Sequence, residues 1–374
     1  MKIISIEPTP SPHSMKINLD EALTDGKTLN FKRTDERENA PDYVKELFQI
    51  DGVKGIYQVI DFIALERHPK HDWEEILPRV RQVLGSAEDP EEMVIEGKTA
   101  NDEAFGEVKV FVQMIRKIPM QVKLQDGDAE KRFSLPERFT NAAMEASMAS
   151  ENMLMERKWV EQSPRYGNID EIGETIVEEL SASYDEHRLA NLLEEDDSAE
   201  APRNETVTIE MLEHTDWKER YAALDRIIEP TLEHLPILTK ALDDEKSSVR
   251  RLAAAFLGMI ESEEVLPPLF KALHDKAVNV RRTAGDCISD LGYPSAIPEM
   301  AKALDDPSRI VRWRAAMFLY EAGDETAVPA LREKLDDPEF EVRMQVKMAL
   351  ARIEGGRSAQ GSIWHQMTQA VKKD

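Results

Sequence analysis

The sequence is short of cysteine and of positive charge. Its 374 residues include one cysteine, Cys287. A single thiol excludes a disulfide framework, an all-cysteine zinc site and an iron–sulfur cluster held by this chain alone. Lysine and arginine number 48 against 73 aspartate and glutamate residues, which gives a formal net charge of −25. Because nucleic acids and anionic lipids are bound by clustered cations, we expect neither as a partner.

Long apolar segments are also missing. No stretch approaches the roughly 20 consecutive apolar residues that a membrane span requires. Residues 1–12 alternate in polarity and then carry prolines, unlike the apolar core of a signal peptide. We therefore predict a cytoplasmic protein with no membrane partner. Hydrophobic residues make up 41% of the chain, and its length suits two or three globular domains.

Motifs of catalysis and of cofactor binding are absent. The sequence contains no G-x-S-x-G, H-E-x-x-H or G-x-G-x-x-G pattern. Gly97-Lys-Thr99 is not a phosphate-binding loop, because the glycine required five residues earlier is Glu92. His68 and His71 have no third metal ligand at a fixed spacing. We predict a protein that is not an enzyme and holds no cofactor or metal.

The dominant positive feature is a repeat of 31 residues in the C-terminal half. The repeated columns are Leu242, Leu273, Leu304 and Leu335; Asp244, Asp275, Asp306 and Asp337; Val249, Val280, Val311 and Val342; and Arg250, Arg281, Arg312 and Arg343. Each unit predicts two short helices. The aspartates precede the first helix, where a carboxylate can accept unpaired N–H groups. Stacked repeats need such columns to bury their faces, so we interpret the columns as packing and capping.

This pattern resembles the short HEAT-like repeats of phycobilisome lyases, with their Asp…Val-Arg…Ala-Ala…Leu-Gly succession. The resemblance implies that the aspartate and arginine columns form a ladder between neighbouring repeats. A bilin lyase is the function that the resemblance suggests, but packing explains every column. We predict an all-α HEAT-like solenoid over residues 206–355.

Some repeat positions are candidates for binding a partner. Lys240, Lys271 and Lys302 recur on the predicted second helices, which line the concave face of such solenoids. The column after the ladder arginine contains Arg251, Arg282, Trp313 and Met344. Trp313 is either an interface anchor or a core residue, and the sequence leaves both alternatives open. Cys287 lies on the inner stripe of its predicted helix, which favours a buried, inert thiol.

Residues 1–87 form a predicted mixed α/β domain. Three segments in it, Pro8–Lys16, Leu47–Ile56 and Asp61–Leu65, followed by Asp72-Trp73, resemble the N-terminal domain of Nfu-type iron–sulfur scaffold proteins in order and spacing. Ser11 departs from the usual asparagine. Nfu scaffolds hold their cluster with a CxxC motif in a separate domain, which this chain lacks. The resemblance therefore implies the fold and a shared kind of partner, an iron–sulfur carrier or scaffold, without the activity.

An acidic capping box is predicted at the start of a helix in this domain. Asp72 and Glu75 have the required spacing, and the helix continues through Ile76, Val80 and Leu84.

A small α+β middle domain is predicted over residues 104–190. Paired strands are predicted at 107–113 and 120–124, and a third at 154–161. Helices are predicted at 135–148 and 169–180. The order ββαβα is close to that of the first domain, so a degenerate duplication is one hypothesis.

Positive and aromatic residues coincide in this middle domain. Arg157, Trp159, Arg165 and Tyr166 could bind an anion or a partner carboxylate. The alternative is a set of snorkelling side chains at a strand edge. A further alternative makes these four residues the site of an enzyme.

The succession of the three regions resembles the bacterial conserved virulence factor C family. Its virulence-factor domain corresponds to the runs Ile118–Leu124 and Arg157-Lys-Trp159. That family name records an association and no chemistry. Residues 356–374 are predicted to be a flexible joint and a short helix containing Trp364.

The leading prediction for function is a non-catalytic scaffold or adaptor, virulence-associated, that binds a protein partner through its solenoid. The alternative is an accessory role in iron–sulfur cluster assembly or delivery through the Nfu-like domain.

Overall fold

A computed structural model describes residues 1–9, 11–23, 28–35, 38–85, 107–127, 129–148, 156–194 and 207–356. The chain divides into two compact units, one formed by residues 1–105 with 316–374 and the other by residues 106–315. The predicted fold class is confirmed: two antiparallel sheets with helices are followed by a run of helices. The predicted tail helix around Trp364 lies outside the described residues.

The N-terminal region is a five-stranded antiparallel sheet with two helices. Its elements are β1 (Ile3–Pro8), β2 (Ser14–Leu19), β3 (Thr28–Lys32), α1 (Asp42–Leu47), β4 (Val53–Val59), β5 (Phe62–Arg67) and α2 (Trp73–Leu84). The strand order is β1-β2-β5-β4-β3. Alternate residues of β2 and β5 are buried, which is the period-2 pattern of a sheet with one covered face. Ile17, Leu65 and Trp73 lie in the resulting core.

The predicted capping box does not form. Asp72 is the N-cap residue of α2, but its side chain makes no capping hydrogen bond. One carboxylate oxygen of Asp72 instead lies 3.5 Å from a guanidinium nitrogen of the buried Arg67. A competing ion pair explains why the capping prediction was wrong.

The middle region is a four-stranded antiparallel sheet with helices packed on one face. Its elements are β6 (Glu107–Ile115), β7 (Ile118–Asp126), β8 (Ala129–Ser134), α3 (Glu137–Met148), β9 (Arg157–Tyr166), α4 (Ile169–Ser183) and α5 (Glu186–Glu194). The strand order is β8-β7-β6-β9. In this sheet β6, the first strand along the chain, lies between β7 and β9. In the N-terminal sheet the first strand, β1, lies at an edge, so the two topologies differ. This difference contradicts the hypothesis of a duplication.

The C-terminal region consists of paired helices. They are α6 (Trp217–Asp225), α7 (Leu235–Ala241), α8 (Ser247–Gly258), α9 (Leu266–Leu273), α10 (Val278–Leu291), α11 (Ile297–Ala303), α12 (Arg309–Ala322), α13 (Val328–Glu333) and α14 (Phe340–Glu354). The helices with even numbers, α6 to α14, are the first helices of the repeats. The helices with odd numbers, α7 to α13, are the second helices. A short 3-10 turn leads into each second helix, for example Glu263–Val265 before α9.

The ladder between repeats is confirmed. The Arg250 guanidinium donates to both Asp275 carboxylate oxygens at 2.6 and 2.8 Å, and Arg281 donates to both oxygens of Asp306 at 2.7 and 3.1 Å. Each aspartate also accepts the backbone N–H two residues further on, as Asp275 does from Ala277 at 2.7 Å. That N–H belongs to the N-cap residue of α10, so the aspartate fixes the turn before the helix and not the first helical turn itself.

One polar side chain of the repeats is buried in the core on α14. Gln345 on α14 is fully buried, and its amide nitrogen and oxygen make no hydrogen bond with the described residues. The equivalent positions of the three preceding repeats, at steps of 31 residues, hold Leu252, Thr283 and Arg314, so one repeat already has a leucine there. A buried amide without hydrogen bonds costs free energy that a leucine does not.

We expect Gln345→Leu to raise the free energy of unfolding by about 1–2 kcal/mol. Urea denaturation followed by circular dichroism measures this change. Gln345→Glu is the matched control and should lower stability, because it buries a charge. An unchanged or reduced midpoint for the leucine variant would contradict the expectation.

Candidate partner-binding surfaces

The column after the ladder arginine contacts the rest of the chain. We call Arg251, Arg282, Trp313 and Met344 the docking column. Arg251 and Arg282 contact the middle domain within the unit formed by residues 106–315. Met344 contributes to the core of the N-terminal domain within the other unit. Trp313 is 1% exposed. Of the two alternatives that the sequence left open, it is therefore the core residue and not the interface anchor.

The Arg251 contact is a buried ion cluster. Glu179 on α4 is 4% exposed, and its Oε2 accepts from Arg165 at 2.8 Å and from Arg251 at 3.1 Å. Burial alone would raise the pKa of Glu179, but Arg251, Arg165 and the Ser248 hydroxyl outweigh it and lower that pKa below its ordinary value. Glu179 therefore remains a carboxylate between two guanidinium groups.

The Arg282 contact is a stacking arrangement. Its guanidinium carbon lies 3.1 Å from the centre of the Tyr166 ring, and the Tyr166 hydroxyl donates to Glu107 at 2.6 Å. Desolvation raises the pKa of Tyr166 and keeps the hydroxyl protonated. Arg165 and Tyr166, two of the predicted partner-binding residues, are thus engaged by the chain's own repeats.

Trp159 belongs to a different surface. Lys123 lies with its ammonium 4.6 Å from the ring centre of Phe111 and 4.7 Å from that of Trp159. The neighbours Val122 and Leu124 are buried against the helices, so Lys123 and its rings occupy the opposite face of the sheet. Arg157 is half-buried at the start of β9. The four predicted residues of the middle domain therefore do not converge on one site.

The N-terminal domain meets α14 through a buried ion pair. Arg67 at the end of β5 donates to the Glu341 carboxylate at 2.7 Å and to the carbonyl oxygen of His71. Both charged side chains are at most 6% exposed. Trp73 packs beside the Arg67 guanidinium at 5.6 Å, and Met344 completes the same core. The sequence gives no signal for this pair, because its members are 274 residues apart.

The predicted lysine row is exposed. Lys240, Lys271 and Lys302 lie on the second helices α7, α9 and α11. Lys271 forms an ion pair with Asp243 of the preceding repeat, and Lys302 donates to Glu299 at 2.6 Å. Such exposed pairs contribute about 0–1 kcal/mol each, so a partner carboxylate can replace them at little cost.

The described part of the chain lacks the features of a metal site and of a membrane span. It contains no group of three histidine, cysteine or acidic residues arranged to hold a metal ion. It also contains no helix with the length and apolar character of a membrane span. Cys287 is half-buried with its Sγ 3.5 Å from the carbonyl oxygen of Ala254, and burial raises the pKa of its thiol. A thiol held protonated is a weak nucleophile.

Family models match all three regions. The model for the N-terminal domain of Nfu/NifU scaffold proteins covers residues 4–88, and the virulence factor model covers residues 113–193. The HEAT repeat model matches twice, over residues 205–285 and 266–351. None of the three matching models is described as a catalytic family.

Full-length relatives carry the same arrangement. Conserved virulence factor C of Staphylococcus aureus strain MRSA252 is 47% identical, over 98% of this chain and 99% of the relative. The chain belongs to the conserved virulence factor C family. A Bacillus subtilis strain 168 relative, the uncharacterized protein YpgR, is 56% identical over the whole of both chains.

Solved structures resemble parts of this family member. The match to protein SAV1430 of Staphylococcus aureus spans 22% of this chain and 98% of the SAV1430 chain, with 35% identity and a TM-score of 0.21. The CpcE–CpcF phycocyanin lyase complex of Nostoc sp. PCC7120 covers 43% of this chain and 70% of the matched chain, with 22% identity and a TM-score of 0.33.

Proposed function

We propose that this virulence-factor family protein is a non-catalytic adaptor that binds a protein partner through its HEAT-like repeats. The surface that we assign to the partner is the row Lys240, Lys271 and Lys302. The observation that carries the proposal is a difference between the first and the second helices of the repeats. The first helices use their docking column on the chain's own domains, whereas the lysines of the second helices remain exposed.

Regular spacing supports this assignment. The three lysines occupy equivalent positions of successive repeats, so they form a line along the solenoid. An acidic segment with carboxylates at a matching interval can contact all three at once. Each single contact is weak, but several contacts along one line add their free energies while the segment is ordered only once.

The triple variant Lys240→Glu, Lys271→Glu and Lys302→Glu should reduce capture of the partner at least tenfold. Affinity capture from cytosol with the full chain as bait, quantified by mass spectrometry, identifies the partner and measures the loss. The matched control reverses three exposed lysines elsewhere, Lys158, Lys218 and Lys276. Equal capture by the triple variant and the original chain would refute the lysine row as the binding surface.

An accessory role in iron–sulfur cluster assembly is the second candidate, favoured by the Nfu-type match over residues 4–88. With Cys287 as its one cysteine, the chain would contact a cluster carrier and not hold the cluster. Anaerobic mixing with a cluster-loaded scaffold should then give a stable complex in analytical ultracentrifugation. Absence of a complex at micromolar concentrations would refute this candidate.

A further inference from the structure

Large apolar side chains are exposed where the first helices of the first two repeats end. Ile228 is 48% exposed and Met259 is 58% exposed. They are 31 residues apart and follow α6 and α8 at equivalent positions, so stacking places them side by side, about 10 Å apart. Leu232, which is 41% exposed, lies in the same turn as Ile228, four residues further along the chain. We call the segments 226–234 and 259–265 the turn edge.

The turn edge is also acidic. Its exposed carboxylates are those of Glu229, Glu233, Glu261, Glu263 and Glu264. Against these five acids the two segments contain one arginine, Arg226, and no lysine. Carboxylates thus border the apolar side chains on both turns. The charge of this edge is opposite to that of the lysine row.

The apolar pair is specific to these two repeats. The third repeat has Asp290 at the position of Ile228 and Met259. Packing of the repeats therefore does not require an apolar residue there, since an exposed aspartate fills the same place. Contiguous exposed apolar side chains with a polar border are typical of surfaces that bind another protein.

We propose that the turn edge binds a basic amphipathic helix of a partner protein. The apolar stripe of such a helix would cover Ile228, Leu232 and Met259, and its flanking lysines or arginines would face the carboxylates. A helix presents side chains of one kind three and four residues apart, a stripe suited to this patch. The site is distinct from the lysine row, so its failure leaves the adaptor proposal intact.

A designed peptide tests this site on the full chain. The probe is a fluorescein-labelled 18-residue helix with leucines on one face and lysines on the other, measured by fluorescence anisotropy. Ile228→Ser with Met259→Ser should weaken binding at least tenfold. Val278→Ser is the matched control, because Val278 is 45% exposed on the same solenoid away from the turn edge. This control should bind like the original chain.

A second pair of variants separates the site from general attraction to a chain of net charge −25. Glu233→Lys with Glu261→Lys should also weaken binding at least tenfold, whereas Glu145→Lys with Glu174→Lys, on α3 and α4, should change it less than threefold. The lysine-row variant should bind the probe undiminished. Equal losses in both charge-reversed pairs, or no loss with Ile228→Ser and Met259→Ser, would overturn the proposal.

Discussion

Replacing Glu179 with alanine should lower the free energy of unfolding by about 3–5 kcal/mol. The change removes the carboxylate that Arg165 and Arg251 share and leaves two guanidinium groups facing each other in a buried interface. Their repulsion and lost hydrogen bonds act together, because both guanidinium groups are largely buried and only partly solvated. Guanidinium chloride unfolding, followed by circular dichroism, measures the loss.

Glu178 provides the control for this variant. It is the preceding residue on the same helix, is exposed, and pairs with Lys246 at 2.9 Å. Glu178→Ala should change stability by less than about 0.5 kcal/mol, since exposed ion pairs contribute little. Similar losses for both variants would mean that the effect arises from α4 and not from the buried cluster.

Acid should weaken the same interface. The pKa of Glu179 in the folded protein is lowered from its ordinary value of 4.5, so the unfolded chain takes up the proton first. The stability that this carboxylate contributes is therefore complete above pH 4.5 and is lost as the pH falls toward the folded pKa. In Glu179→Gln this part of the acid dependence should disappear. An identical slope of stability against pH below 4.5 in both proteins would contradict the role of Glu179.

Features that follow from a repeat could be predicted from the sequence. Elements without an apolar pattern or a turn signal could not. The ladder follows from columns such as Asp275 and Arg250, because a stacked repeat brings equivalent positions together. The strand β8 was not predicted, since the run Ala129–Ser134 is mostly exposed and lacks apolar alternation. The hairpin between β4 and β5 turns at Ile60, a residue with positive φ that carries no turn signal.

The sequence shows that the docking column is irregular, but it does not show what the residues of this column contact. Arginine, tryptophan and methionine at one repeat position indicate that the surroundings differ between repeats. One sequence does not say whether those surroundings belong to a partner or to the chain itself. The structure shows that Arg251 and Arg282 face the middle domain and Met344 the N-terminal core. A surface candidate in such a solenoid is therefore best sought on helices that carry no docked domain.

The pair formed by Arg67 and Glu341 should show strong coupling in a double-mutant cycle. Glu341→Met alone removes the buried carboxylate that pairs with Arg67 and leaves only the more exposed Asp72 at 3.5 Å, so it should cost about 3 kcal/mol of unfolding free energy. Arg67→Met alone should cost a similar amount, because it leaves Glu341 as an isolated buried carboxylate. The double variant should lose less than the sum of the two by at least about 2 kcal/mol, since two methionines fill the space without an unpaired charge.

The cycle also tests how the N-terminal domain is attached to α14. Met344 already packs in the same core, so two further methionines extend an apolar contact that exists. Arg332→Ala serves as the control, because its 2.8 Å ion pair with Glu354 of α14 is exposed, and it should cost no more than about 1 kcal/mol. Strictly additive losses in the cycle would show that the ion pair does not hold the domain to the helix. A coupling of the expected size would make this pair, formed by residues 274 positions apart, a principal link between the N-terminal domain and α14.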